Sequence, residues 1–125
     1  MIIPDELHLR AWWKSKYNTD LDRYIDTEYL TMCEFWQNVY TYNLQVERST
    51  GHRDNNGKLI YEKDILRCLP NNFYNEPFNV HIFWHKDYSQ FLAQRMEEGL
   101  KGSCIDLMDC EGIIIGNLHE GVLND

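Results

Sequence analysis

The chain has 125 residues, and its 12 Lys plus Arg against 20 Asp plus Glu leave a net charge of −8. Averaged over the surface that charge repels a phosphate backbone, which disfavours generic nucleic-acid binding. The 43% apolar content, with eight Tyr, five Phe and four Trp, excludes a disordered chain, and the length suits one compact unit able to bury a core without disulfide or metal.

At the start, Met1-Ile2-Ile3 is broken at once by Pro4, Asp5 and Glu6, which is not the pattern of a secretory leader. No apolar run approaches the ~20 residues that span a bilayer. Residues Leu7 to Tyr17, LHLRAWWKSKY, alternate Leu7, Leu9 and Ala11 with His8, Arg10 and Trp12. That is the period of a half-buried strand, and it sends Trp12 and Trp13 to opposite faces. The acidic stretch Asn18 to Tyr29 reads as a solvated loop or short turn.

Thr27 is a candidate N-cap for a helix carrying Leu30, Cys33 or Glu34, and Phe35 or Trp36; an extended pair over the same residues stays open. Past Asn38 the period becomes two, with Tyr40, Tyr42, Leu44 and Val46 inward, which reads as a strand. Asn55-Asn56-Gly57 then marks a tight reversal, because Gly and Asn accept positive φ. Leu59, Tyr61 and Ile65 are its inward positions on the far side. Lys63-Asp64 marks a bend before a short strand ending at Cys68, and Pro70 with Asn71-Asn72 a further turn.

Residues Phe78 to His85, FNVHIFWH, alternate cleanly and read as a strand closed by a turn at Lys86-Asp87. Ser89 to Gly99 reads, on propensity alone, as a helix of about ten residues with Ser89 as N-cap and Gly99 at C′. Cys104 to Met108 resumes as an extended segment, and Ile113-Ile114-Ile115 reads as a buried closing strand. The four cysteines, Cys33, Cys68, Cys104 and Cys110, lack regular spacing and read as reduced thiols of a cytosolic protein.

Three blocks together resemble the YopX family of phage and prophage proteins. LRAWWK is similar to the family's Phe-Arg-Ala-Trp opening through Arg10, Ala11 and Trp12. STGHRDNNGKLIYEKDIL resembles its central signature through Thr50, Gly51, Asp54, Asn56, Gly57, Lys58, Ile60, Tyr61, Glu62, Asp64 and Ile65. IIIGNLHE resembles its ending through Ile114, Ile115, Gly116, Asn117 and Glu120. Lys63 departs from the family's usual Gly, and His52-Arg53 from the commoner Leu-Lys. Residues 18–39 and 86–103 match nothing in the pattern.

The resemblance implies a mainly β chain with some α. An N-terminal lobe (1–47) would pack on a small β-barrel of the Src-homology-3 type (48–125), the two forming one unit. It also shifts Ser89 to Met96 from helix to strand, pairing back on Asn79 to His85. The matched residues are expected to act mainly through structure, and fold alone supplies no activity.

Candidate chemistry is sparse. On a strand His81 and His85 share a face but stand about 13 Å apart, too far to chelate one ion, so neither a metal nor another cofactor is expected. No phosphate loop, nucleophile elbow, HExxH helix or Rossmann glycine pattern occurs, and no cysteine lies beside a histidine in sequence. His52, Asp54, Glu62 and Asp64 are an acid/base cluster in principle, with turn and hinge roles the simpler reading. Tyr61 and Trp12 read as core aromatics whose polar tips find backbone partners.

A non-enzymatic protein is therefore expected. It would be a phage or prophage accessory factor in the host cytoplasm, working by contact with a host or phage protein, with no membrane role. Trp13, Phe83 and Tyr88 are its candidate interaction surface. Self-association is expected from the aromatic content. The alternative is a nucleic-acid role, through a basic patch of Arg48, His52, Arg53 and Lys58 or through acidic mimicry of DNA.

Overall fold

The computed structural model of the protein describes residues 4–14, 22–70, 76–96, 104–107 and 110–122. A 3-10 turn at Asp5–Leu7 leads into β1 (Leu9–Trp13), β2 (Arg23–Asp26), α1 (Met32–Tyr42), β3 (Val46–Arg53), β4 (Leu59–Tyr61) and β5 (Asp64–Cys68). The chain continues through β6 (Phe78–His85), β7 (Gln90–Arg95), β8 (Cys104–Asp106), β9 (Gly112–Asn117) and β10 (Gly121–Val122). The strands form two antiparallel sheets, β2-β1-β3-β4 and β10-β9-β5-β6-β7-β8. The fold is mainly β, and the six-stranded sheet curls into a half-barrel. β3 runs across residues 47 and 48, the boundary expected between lobe and barrel, and pairs with both β1 and β4.

The main core lies on one face of the six-stranded sheet, where Leu66, Cys68, Phe78, Val80, Ile82 and Ala93 gather with Ile60 from β4 and Leu107. The strict alternation of Phe78 to His85 produces this directly, with Phe78, Val80 and Ile82 buried and their neighbours half-exposed. β4 breaks the alternation because both of its faces are covered: Leu59, Ile60 and Tyr61 are all buried.

Gln90–Arg95 pairs with β6 from His85↔Gln90 to Val80↔Arg95, so the strand expected from the resemblance holds against helix propensity. Cross-strand burial of Leu92 and Ala93 in a preformed sheet outweighs a preference of a few tenths of a kcal/mol per residue. The Lys86-Asp87 turn is present, with Ser89 at φ 50°.

Four readings are corrected. Arg23–Asp26 is a strand rather than a loop, because its residues pair with β1 from Arg10↔Asp26 to Trp13↔Arg23. The helix starts four residues later than expected: Thr31, not Thr27, is the N-cap, and Glu34 completes a capping box with it. Thr27 is buried instead, its hydroxyl meeting His8 Nδ1 and the Leu9 N–H, each at 2.9 Å. Tyr40 and Tyr42 belong to α1 and not to a strand; Asn43 ends the helix at φ 53°, and β3 begins only at Val46. Cys68 and Cys110 are not reduced thiols but form a disulfide, 42 residues apart in sequence with Cα atoms at 5.7 Å, while Cys33 and Cys104 are free and exposed.

The continuation of the first strand past Lys14, residues 18–21, the turn at 71–72, Gly99 and Met108 lie outside the described residues.

The central hairpin is shaped by three backbone devices. Gly51, at φ 82°, sits where the β3–β4 register shifts, and a Cβ there would meet Glu6 Cβ at 3.2 Å. Gly57, at φ 83°, closes the turn. Asp54 organises it: Oδ1 accepts from Asn56 and Lys58 N–H, and Oδ2 accepts from Ile114 N–H of β9 at 2.9 Å. The turn is thereby pinned to the other sheet.

Lys63, standing where the resemblance has Gly, takes φ 69°. An L-residue there carries a steric penalty of about 1–2 kcal/mol. Lys63→Gly and Lys63→Ala both lose the ammonium, and the glycine variant is expected to be the more stable of the two by about 1 kcal/mol in urea unfolding. Equal midpoints would show that the backbone there is unstrained.

Candidate functional site

The period-two geometry of β1 puts Arg10 and Trp12 on one face, opposite Asp26 and Glu47 for Arg10 and Tyr24 for Trp12. Arg10 is only 7% exposed there, so its charge needs partners. Its Nε donates to Glu47 Oε1 at 3.0 Å, Nη1 to Asp64 Oδ1 at 2.8 Å and Nη2 to the Glu62 carbonyl at 2.8 Å. The guanidinium lies 3.8 Å from the centre of the Tyr24 ring and 4.7 Å from that of Tyr61. One planar cation thus joins β1, β3 and the β4–β5 bend.

Glu47, itself 1% exposed, holds the other half of the arrangement. Tyr24 OH donates to Oε1 at 2.9 Å, His119 Nε2 stands 2.8 Å from Oε2, and Lys63 Nζ is 4.0 Å away. His119 is aimed by the C-terminal block. Asn117 Oδ1 accepts from the N–H groups of His119 and Glu120, while its amide donates to Glu120 Oε1. The imidazole stacks on Trp12 at 4.7 Å with 2° between planes, and Tyr24 meets Trp12 edge-on at 5.0 Å. The three sequence blocks therefore converge on one buried ionic centre.

Electrostatics there follow from burial. Burial pushes the Asp64 carboxyl above its ordinary value, against the pull of Arg10 and of the Tyr61 N–H donated to Oδ2 at 2.8 Å. Burial disfavours the Arg10 cation, but Asp64, Tyr24 and Glu47 together raise it above its ordinary value. The Tyr24 phenol is pushed up by burial, with Glu47 adding to the shift and Arg10 opposing it; Tyr61 is pushed up mainly by burial. Tyr61 OH is buried without a hydrogen-bond partner, whereas a backbone partner was expected.

Glu47, Tyr24 and His119 are central here and were missed in the sequence. Glu47 sits two residues before the central block, Tyr24 lies in a stretch read as loop, and His119 was visible only as a neighbour of Asn117. A buried glutamate in an otherwise alternating strand carries no local signal until its partner is placed.

The four acid/base candidates do not form one cluster: His52 and Asp54 line one small cavity, while Glu62 and Asp64 are held elsewhere. Asp54 holds the hairpin turn, Asp64 holds Arg10, and Glu62 Oε1 takes the Arg48 Nε at 2.6 Å. His52 lines a separate cleft between β3 and β7–β8. That cleft encloses about 350 Å³, with Trp84 and Phe91 as aromatic walls, and a smaller cavity of about 180 Å³ shares His52 and Leu107 with it.

The two arginines of the basic patch are engaged internally. Arg48 bonds Glu62 and lies over Trp84, and Arg53 makes two hydrogen bonds to Asp5, at 3.0 and 2.9 Å, and one to the Gly57 carbonyl. The aromatic trio divides. Phe83 and Tyr88 belong to a ladder along β6 and its turn, His81–Phe83–His85–Tyr88, with ring centres 5.9, 6.0 and 4.5 Å apart. Phe83 thus stands between the two histidines. Trp13 lies on the other sheet, under Arg23 at 4.2 Å and beside Tyr42 at 5.5 Å.

Arg10→Met would strand two buried carboxylates and is expected to cost about 3–5 kcal/mol of stability. Adding Glu47→Gln and Asp64→Asn should cost less than the sum of the three single changes; additive costs in urea unfolding would refute a coupled centre. For Tyr24 and Tyr61 the folded pKa is raised, so their stabilising contribution is complete below the unfolded tyrosine value of about 10 and is lost as pH rises above it. Phenolate absorbance should accordingly lag behind that of the denatured chain, and Tyr24→Phe with Tyr61→Phe should remove the lagging fraction.

No curated protein matches the chain. The family model described as YopX protein matches residues 5–122, which takes in every strand described above and the Arg10, Glu47, Asp64 and His119 centre. By that match, over nearly its whole length, the chain belongs to the YopX protein family.

Proposed function

We propose that this is a phage- or prophage-encoded accessory protein that works non-enzymatically in the host cytoplasm, by contact with a protein partner of host or phage origin. A role directed at the host or its defences fits this reading. Of the acid/base candidates, Asp54 and Asp64 hold the two sheets together and Glu62 holds Arg48, which leaves the surface as the working part.

One observation carries the proposal. On α1, Met32, Trp36 and Tyr40 recur every fourth residue along one face and are 37%, 46% and 91% exposed. Capping fixes the helix while a single residue, Phe35, is buried from it. Glu34 is the one charged side chain on α1, so the face is apolar and uncharged on an acidic chain, the composition of an interface centre. Tyr88, 68% exposed at the end of the β6 ladder, offers a second aromatic contact. The Src-homology-3-type barrel with an N-terminal lobe belongs to the same proposal, supported by the curl of the six-stranded sheet.

Among the described residues no helix is long and apolar enough to cross a membrane. A nucleic-acid role has less support, because Arg48 and Arg53 already hold carboxylates.

The test is a reconstituted complex. A partner recovered from host cells should co-elute with the purified protein at fixed stoichiometry. Trp36→Ala with Tyr40→Ala should weaken that complex at least about tenfold, on the scale of interface hot spots, with the melting temperature held. Undiminished binding would sink the α1 surface. Light scattering of the protein alone would show whether the same face pairs with a second copy.

A further inference from the structure

Five arginines of this acidic chain are engaged inside the fold. Arg10, Arg48 and Arg53 pair with carboxylates, and Arg23 and Arg95 lie over the Trp13 and Phe78 rings at 4.2 and 4.4 Å. The sixth, Arg67, is half-buried on β5 and has no hydrogen bond, ion pair or ring contact among the described residues. Its guanidinium gives up hydration and recovers nothing from the protein, although the chain carries 20 Asp plus Glu.

Arg67 stands directly opposite Asn79 of β6, on the same face of the six-stranded sheet. Asn79 Oδ1 is buried without a hydrogen-bond partner. The two residues line a cavity of about 190 Å³ at the end of the sheet where β7 stops, with Arg95 paired to Val80 and the Met96 N–H donating to the Asn79 carbonyl at 3.0 Å. Phe78 also lines it but is buried and covered by Arg95, so the open apolar surface is that of Pro77 and Met96, both exposed. No Asp or Glu lines the cavity among the described residues.

We infer that this cavity holds the C-terminal residue of a partner peptide, with its carboxylate on Arg67, its N–H donated to Asn79 Oδ1 and an apolar side chain against Pro77 and Met96. The inference rests on the protein-contact reading above and names the part of the partner that is held. A terminal residue carries a carboxylate, an amide N–H and a side chain on one carbon, which are the three groups this site leaves unmatched. An Asp or Glu side chain has no apolar branch beside its carboxylate, and a fatty acid has no N–H. A phosphate brings more negative charge than a carboxylate toward a chain of net charge −8. The volume lies below that of sites for drug-sized ligands, which suits a single residue.

The probe is the peptide acetyl-Gly-Gly-Leu with a free carboxylate. It is set against the same peptide as its C-terminal amide and against isocaproate, which keeps the carboxylate and the alkyl group but lacks the N–H. Each is titrated into the full chain and followed by amide and methyl NMR signals. Saturable shifts are expected at the Asn79 side-chain amide and the Met96 methyl. The acid should bind about tenfold more tightly than the amide and about fivefold more tightly than isocaproate, and salt should weaken it. Arg67→Gln should lower the affinity for the acid to that for the amide, with Arg67→Lys falling between the two. Asn79→Leu removes a buried acceptor that has no partner, so the melting temperature should hold while the preference for the peptide over isocaproate is lost. The comparison of acid with amide on the unaltered chain reads the Arg67 contact even where a variant fails to fold. Equal affinity for the amide, isocaproate bound as tightly as the peptide, shifts that map elsewhere or an absence of saturation would overturn the inference. A reconstituted partner complex unweakened by Arg67→Gln would also overturn it and would leave the protein-contact reading standing.

Discussion

A buried arginine between two carboxylates is the constraint from which the rest of this structure follows. Arg10 cannot leave water without Glu47 and Asp64, and those two lie on different sheets. Satisfying the guanidinium therefore fixes how β1 and β3 sit against β5. Such a centre adds little net stability over a well-packed apolar one, because desolvation offsets the attraction. Its effect is on uniqueness: two carboxylates, two tyrosine rings and a carbonyl meet one cation in a single arrangement. His119 and Lys63 then close the side of Glu47 that Arg10 does not reach.

The same logic explains why the central hairpin is rich in special backbone positions. β3 must pair with β1 and β4 and also bring Glu47 to the centre, so it shifts register at Gly51. The bend after Tyr61 must deliver both the Glu62 carbonyl and Asp64 to Arg10, which imposes positive φ on Lys63. Asp54 fastens the far end of the hairpin to β9. With both ends fixed, the hairpin bridges the six-stranded sheet without pairing to β8, and the cleft opens there.

Much of the architecture was legible locally. The alternation in FNVHIFWH, the Asn-Gly reversal and the closing isoleucines each became the element their pattern implies. The central block, with its glycines and acids, marked where the chain must bend. Legibility failed where partners are distant. β2 looked like a loop because four residues with two charges carry no strand signal, yet pairing with β1 makes them one. Residues Tyr40 and Tyr42 kept an accidental period of two inside a helix whose start is set by the Thr31–Glu34 box. The disulfide joins cysteines 42 residues apart, a relation that spacing does not encode.

By itself the sequence determined the family, the mainly β character, the turn positions and the acidic surface, because each depends on residue type or on contacts a few residues apart. Tertiary structure alone decided that Arg10, Glu47, Asp64 and His119 form one centre, that Arg48 and Arg53 are already paired, and that Trp13 stands apart from Phe83 and Tyr88. The physical reason is range: periodicity and turn chemistry act within one element, whereas a buried charge finds its partners across sheets, at separations of 37, 54 and 72 residues for the Arg10–Glu47, Arg10–Asp64 and Glu47–His119 contacts.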